Sequence, residues 1–305
     1  MNTFILTTPV ALLVFNRPTE TERVFAAIRE ARPSRLLVVA DGPRAGRPDD
    51  VASCAEVRRI VEQVDWPCEV QHNYSDVNLG CRQRVATGLD WVFEQVEEAI
   101  VLEDDCLPDK SFFRFCKELL DYYRDDHRIG MISGDNFQLG RQYNDESYYF
   151  SKYFHIWGWA TWRDRWTGSY DVYMKQWPAA RDKSWLADML NDKSELAIWK
   201  SNFERVYSGR IDTWDYQWVF ANWLQGRLSI LPAMNLISNI GFNSRATHTK
   251  VTLDLADLDC FSVAFPLKHP KDVIRNFMAD ENSRNLRTKG SFLISLYKQL
   301  IGWMK

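Results

Sequence analysis

The chain has 305 residues, 46% hydrophobic and 26% charged, enough for one large globular domain or two small ones. Its formal net charge of −3 argues against bulk binding to nucleic acid. No apolar run approaches the ~20 residues that span a bilayer, so a membrane-spanning reading is set aside.

The N-terminus shows no charged stretch followed by a cleavage signal, so a cytoplasmic protein is expected. The six cysteines, Cys54, Cys68, Cys81, Cys106, Cys116 and Cys260, form no C-x-x-C pair. Neither a zinc site nor a redox motif is indicated, and reduced core thiols are expected.

The first predicted strand runs from Pro9 to Phe15 and is broken by Asn16-Arg17-Pro18. Thr19 and Glu22 form an S/T-x-x-E capping box for a helix carrying Val24, Phe25 and Ile28. Arg35 to Ala40 is a second strand, ended by the turn signal Asp41-Gly42-Pro43, and residues 43–50 read as a loop. A helix over 51–64 follows, with Val57, Ile60, Val61 and Val64 at helical spacing. Cys68 to His72 is a third strand, and Asn78-Leu79-Gly80 opens a helix with Val85, Leu89, Val92, Phe93 and Val96. The run Ala99-Ile100-Val101-Leu102 then reads as a buried parallel strand. Strand–helix alternation of this kind predicts an α/β fold with a parallel sheet flanked by helices. No G-x-G-x-x-G follows the first strand, which disfavours a dinucleotide fold, and no P-loop motif occurs.

A helix over 110–124 and a strand from Ile129 to Ser133 come next. From Tyr148 to Trp166 the chain is dense in aromatics, which suit either a core or a surface that stacks on sugar rings. A helix near 195–207 leads to Arg210-Ile211-Asp212-Thr213-Trp214-Asp215 and a further helix with Trp214, Trp218 and Ala221 on one face. Leu228 to Ile240 reads as broken strand, and 250–290 has no clear periodicity. Phe292 to Trp303 forms a lysine-flanked apolar helix. Packing on the domain and lying in a membrane interface are both open to it.

The chemistry concentrates at Glu103-Asp104-Asp105, placed by the preceding strand at a carboxyl end, where open α/β sheets put their ligands. Three carboxylates at one edge repel one another unless a cation compensates. Mg²⁺ or Mn²⁺, held by one or two carboxylates and by substrate phosphates, fits that need, while a solvated acidic turn before Pro108-Asp109 is the plain alternative.

Together these pieces resemble a nucleotide-sugar glycosyltransferase of the GT-A fold, a Rossmann-like, mainly parallel central sheet flanked by helices. The resemblance is to bacterial family-2-like enzymes and to N-acetylglucosaminyltransferase I. Leu13-Val14-Phe15-Asn16-Arg17, Val38-Val39-Ala40-Asp41-Gly42, Asn78-Leu79-Gly80 with Arg82 and Arg84, and Val101-Leu102-Glu103-Asp104-Asp105 carry it. It implies a GT-A domain over 1–250, with a nucleotide-sugar half at about 1–135 and an aromatic-rich acceptor half at 136–250, and a C-terminal extension over 251–305. The Phe15 backbone and Asp41 would hold uracil or ribose, and Arg17 and Arg82 the nucleotide or diphosphate. Asp104 would touch the ribose, Glu103 the donor sugar, and Asp105 the metal. Gly158-Trp159 resembles a donor-side loop, and Thr247-His248-Thr249 a segment that supplies a second metal or diphosphate ligand. Trp214-Asp215 matches a base motif, which makes Asp215 the candidate general base.

The expected function is metal-dependent, inverting transfer from a nucleotide-diphosphate sugar, with UDP the expected nucleotide, to a glycan or lipid-linked acceptor. Surface polysaccharide biosynthesis is the expected setting, and peripheral membrane contact would run through the last helix. Two rivals stand beside it. A sugar-nucleotide nucleotidyltransferase would carry a Gly-rich loop after the first strand, where Phe15-Asn16-Arg17-Pro18 lies instead. A non-catalytic carbohydrate-binding protein would have no use for the acidic strand end.

Overall fold

The computed structural model describes residues 4–241 and 258–289. His248 and the predicted helix over 291–305 lie outside the described residues, and with them the metal and membrane roles expected there. The first half alternates as β1 (Val10–Val14), α1 (Pro18–Ala31), β2 (Arg35–Ala40), α2 (Pro48–Val61), β3 (Glu69–Tyr74), α3 (Gly80–Gln95) and β4 (Glu98–Glu103). Then come β5 (Cys106–Pro108), α4 (Phe112–Tyr123), β6 (Ile129–Ser133), β7 (Tyr148–Ser151), β8 (Trp159–Trp162) and α5 (Arg163–Thr167). The remaining elements are α6 (Trp177–Ala180), α7 (Trp185–Leu190), α8 (Lys193–Tyr207), α9 (Asp215–Leu224), β9 (Leu228–Pro232), β10 (Ile237–Asn239) and α10 (Phe277–Lys289).

Eight strands form one sheet in the order β3-β2-β1-β4-β8-β6-β9-β7, and β10 pairs with β5 in a separate two-stranded ribbon. The first four are parallel, as the strand–helix alternation predicts. Beyond β4 the sheet is mixed: β8 runs antiparallel to both neighbours, and β7 antiparallel to β9. The uninterrupted parallel run therefore belongs to the N-terminal block, which holds the acidic strand end, and β6 with β9 adds one further parallel pair.

Side-chain alternation distributes β1 between two cores. Val10, Leu12 and Val14 meet Val24, Phe25 and Ile28 of α1 and the apolar face of α4, whereas Ala11 and Leu13 meet Val85, Leu89 and Val92 of α3. At α1 the capping-box expectation is corrected. The helix begins at Pro18 with Arg17 in the N-cap position, and Thr21 Oγ1 donates to the Arg17 carbonyl at 2.7 Å. Proline suits that first helical position because its missing N–H would have no partner there. The guanidinium of Arg17 is thereby placed at the strand end.

Helix α10 has no counterpart among the sequence expectations. Its buried face is mostly polar: Asp280, Asn282 and Ser283 are buried with Ala279 and Leu286. Asp280 accepts from Ser151 Oγ and from Arg275 Nε, each at 2.5 Å, and Gln138 donates to Ser283 Oγ at 2.9 Å. A helix held by hydrogen bonds leaves no apolar stripe to read.

Candidate active site

A cavity of about 290 Å³ opens at the carboxyl ends of β1, β2 and β4. Its walls include Phe15, Arg17, Asp41, Glu103, Asp104 and Asp212. A smaller cavity of about 200 Å³, between Thr167–Gln176 and α9, has Asp171 as its one charged side chain.

The acidic strand end is organised by the turn after β1. The backbone N–H of Phe15 donates to Asp104 Oδ2 at 3.0 Å. Arg17 Nη1 reaches Asp104 Oδ1 at 3.5 Å and pairs closely with Asp105 Oδ2. Burial works against the Arg17 cation, but Asp104 and Asp105 outweigh it and hold its pKa above the usual value. Burial, and after it the repulsion of Asp105 and Asp104, pushes the Glu103 carboxyl well up. Asp104 is raised too, by burial against the counter-pull of Arg17. One guanidinium thus faces three carboxylates.

That excess of negative charge is what a divalent cation would relieve. Among the described residues no three His, Cys, Asp or Glu side chains form a ready-made metal cage. The donor set fits a cation that takes one carboxylate here and completes its shell with phosphate oxygens and water. Gly241 closes over the pair: a Cβ there would lie 2.1 Å from Asp105 Oδ2 and 2.8 Å from Arg17 Nη1. Only a residue without a side chain allows that approach.

Three further expected site residues make contacts within the chain, and His248 lies outside the described residues. Asp41 lines the cavity, but its carboxylate accepts from Gly42 N–H and Leu79 N–H at 2.9 Å, Asn78 Nδ2 at 2.9 Å and Gly80 N–H at 3.2 Å. Those four bonds fill the roughly four lone-pair sites of a carboxylate. Asp41, expected at the uracil or ribose, thus also braces the end of β2 to the start of α3. Arg82 gives its guanidinium to the carbonyl of Val172, at 2.7 Å from Nη2, and reaches that of Val206. Expected at the diphosphate, it here staples α3 to the later half of the chain.

Trp159 is fully buried, with its ring 5.6 Å from Trp214, 5.9 Å from Trp218 and 6.3 Å from Trp166. Trp159, expected at the donor, is not among the residues that line the cavity. Replacing Trp159 by Ala should cost about 3–5 kcal/mol of stability through cavity formation. Urea unfolding would measure it, and a loss below about 1 kcal/mol would contradict this packing.

Asp215 is the first residue of α9, where the helix dipole favours a carboxylate, and it accepts from the Thr213 hydroxyl. Its charge adds to the repulsion on Glu103, so it stands at the same acidic centre. Asp212, three residues before Asp215, lines the cavity itself. A Cβ on Gly80, whose φ is +77°, would lie 2.9 Å from Asp212 Oδ2. Cys81 and Arg84, one and four residues beyond Gly80 on α3, also line the cavity. Spacing from that glycine is the signal that could have found Cys81.

With this geometry in place, known structures can be compared. No protein-family model matches the chain, and no curated protein matches it. It is similar to a mannosyltransferase from Pyrobaculum calidifontis in complex with GDP-Man and Mn²⁺, at 16% identity over 56% of this chain and 49% of that one, with a TM-score of 0.38. It therefore spans about half the length of that enzyme. Mouse xyloside xylosyltransferase 1 in its apo form is similar at 12% identity over 71% of this chain and 81% of that one, TM-score 0.35. The 4-diphosphocytidyl-2C-methyl-D-erythritol synthase of Anaerococcus prevotii is similar at 10% identity over 61% and 84%, TM-score 0.35.

Proposed function

We propose that the chain is a GT-A-type, metal-dependent glycosyltransferase that takes a nucleotide-diphosphate sugar, with UDP as the nucleotide, and passes a hexosyl or N-acetylhexosaminyl group to a hydroxyl of a glycan or lipid-linked acceptor. One observation supports this above all: Phe15, Arg17, Glu103 and Asp104 converge on one cavity at the carboxyl ends of parallel strands, with Asp105 held by the same Arg17. A sugar-binding protein would need polar groups and an aromatic face, not buried like charges. In this reading the donor half is 1–135, the acceptor half 136–250, and 251–305 an extension, with His248 a second metal or diphosphate ligand.

Asp105 would hold Mn²⁺ or Mg²⁺, with Asp104 and Glu103 beside it. The metal, when bound, offsets the charge that grows on the departing diphosphate. Arg17 is placed to leave Asp105 for a phosphate oxygen, since its fork suits either anion. Asp104 fixes the turn at Phe15 and so shapes the nucleotide wall. Glu103, at the cavity floor, accepts hydroxyls of the donor. Asp215, in the first turn of α9, takes the proton from the acceptor hydroxyl as it attacks the anomeric carbon from the face opposite the diphosphate. That displacement inverts the anomeric configuration.

A thermal-shift screen of nucleotide sugars with and without Mn²⁺ tests the reading. A donor at ~100 times its Kd should add about 2.7 kcal/mol of stability, and only with the metal present. Failure of every UDP-, GDP- and CMP-sugar to stabilise the protein with Mn²⁺ would overturn it. Release of pyrophosphate from a nucleoside triphosphate and a sugar phosphate would instead favour nucleotidyl transfer.

A further inference from the structure

The loop between β2 and α2 reads in the sequence as a charged connector, yet it supplies a wall of the cavity. Arg44 lines it, with its guanidinium carbon 5.4 Å from the centroid of the Phe15 ring. Asp50, in the first turn of α2, grips that guanidinium as a fork: Arg44 Nε donates at 2.5 Å and Nη2 at 2.9 Å. The same carboxylate accepts from Asn16 Nδ2 at 2.8 Å and from the Arg44 backbone N–H at 3.3 Å. Asp50 is 5% exposed, and Arg44 is partly open to solvent. These bonds tie the loop to the end of β1 and immobilise a plane that would otherwise sweep freely on a long side chain. The bonds from Arg44 and Asn16 hold the Asp50 carboxyl down at about 2, so the fork persists at any pH near neutrality. Nη1 is outside the fork and is left to donate elsewhere.

Resting on the nucleotide-sugar reading, we infer that Arg44 is a nucleobase-recognition residue: its guanidinium extends the Phe15 stacking surface and Nη1 donates to a carbonyl oxygen of the base, with Asp50 as its positioning residue. A base has a flat π-face that stacks on an aromatic or a guanidinium, and a carbonyl edge that accepts from one. A phosphate would call on the charge and the fork of Arg44, and Asp50 holds that fork. Asp50 has already neutralised much of that charge, and Arg17 stands closer to the acidic centre.

Calorimetric titration of uridine and of UDP with Mn²⁺ into wild type and variants tests this. Arg44→Ala should weaken uridine and UDP by the same factor, about tenfold. Arg44→Lys, which keeps charge but loses the plane and the fork, should behave like Arg44→Ala. Asp50→Asn should weaken both ligands less, because the plane survives but is no longer fixed. Should Arg44→Ala weaken UDP alone and Arg44→Lys restore it, Arg44 is a phosphate ligand and the inference fails. Unchanged affinities in Arg44→Ala, with wild type binding UDP, would overturn this inference and spare the nucleotide-sugar reading. Absence of any UDP or uridine binding to wild type would overturn this inference, and the nucleotide-sugar reading would fall with it only if GDP- and CMP-sugars also failed to stabilise the protein. An Asp50→Asn variant that does not fold leaves the two Arg44 variants to decide.

Discussion

Asp105→Asn should abolish Mn²⁺-dependent nucleotide binding, at least ~100-fold in affinity, since even groups that only orient a metal's ligands cost 10–100-fold when lost. The fold should survive, because Arg17 keeps its second partner, Asp104. Calorimetry of UDP with and without Mn²⁺ reads the effect, and an unchanged metal dependence would show that another group holds the cation. A pH dependence accompanies it. Burial raises the carboxyls of Glu103 and Asp104 above their ordinary range of about 4. The folded metal-free protein then keeps protons that the unfolded chain has released, so its stability falls as pH rises from that range toward the raised values. Bound Mn²⁺ favours the ionised carboxylates and should reverse the trend. Melting temperatures at pH 5 and pH 8, with and without Mn²⁺, give the sign.

The second large effect belongs to Asp215. Asp215→Asn keeps the shape of the side chain and removes its basicity, and the loss of a general base costs ~10²–10⁴-fold in rate. Donor affinity should hold, because Arg17, Asp104 and Asp105 lie on other elements. Asp212→Asn should act differently. Its carboxylate stands over Gly80 at the cavity, so its loss should raise the donor KM more than it lowers kcat. Steady-state kinetics on both variants separate the roles. A collapse of kcat in Asp212→Asn with near-normal turnover in Asp215→Asn would exchange the two assignments.

The acidic centre was legible because it is local. Glu103, Asp104 and Asp105 follow one buried strand, and a strand's burial and direction can be read from its own residues. The same holds for the parallel block: β1, β2 and β4 are apolar runs bounded by breakers, and α1 and α3 carry their core faces in their periodicity. Arg17 follows the first strand, so the end of β1 brings it to the acidic centre.

What sequence alone could not decide is which groups meet across the chain. Asp41 looked like a ligand residue because it ends a strand, and Asn78, Leu79 and Gly80 also bond its carboxylate from nearly forty residues away. Arg82 looked like a phosphate residue, and two carbonyls far along the chain, at 172 and 206, accept from it. Trp159 suited stacking on a sugar or on other tryptophans, and only the fold shows it packed against Trp214 and Trp218. Arg44 sat in a stretch without periodicity, so nothing local marked its fork with Asp50. Periodicity reports whether a side chain faces inward. A hydrogen bond or an ion pair depends on distance and angle between atoms that the tertiary fold brings together, and its geometry leaves no repeat in the order of residues.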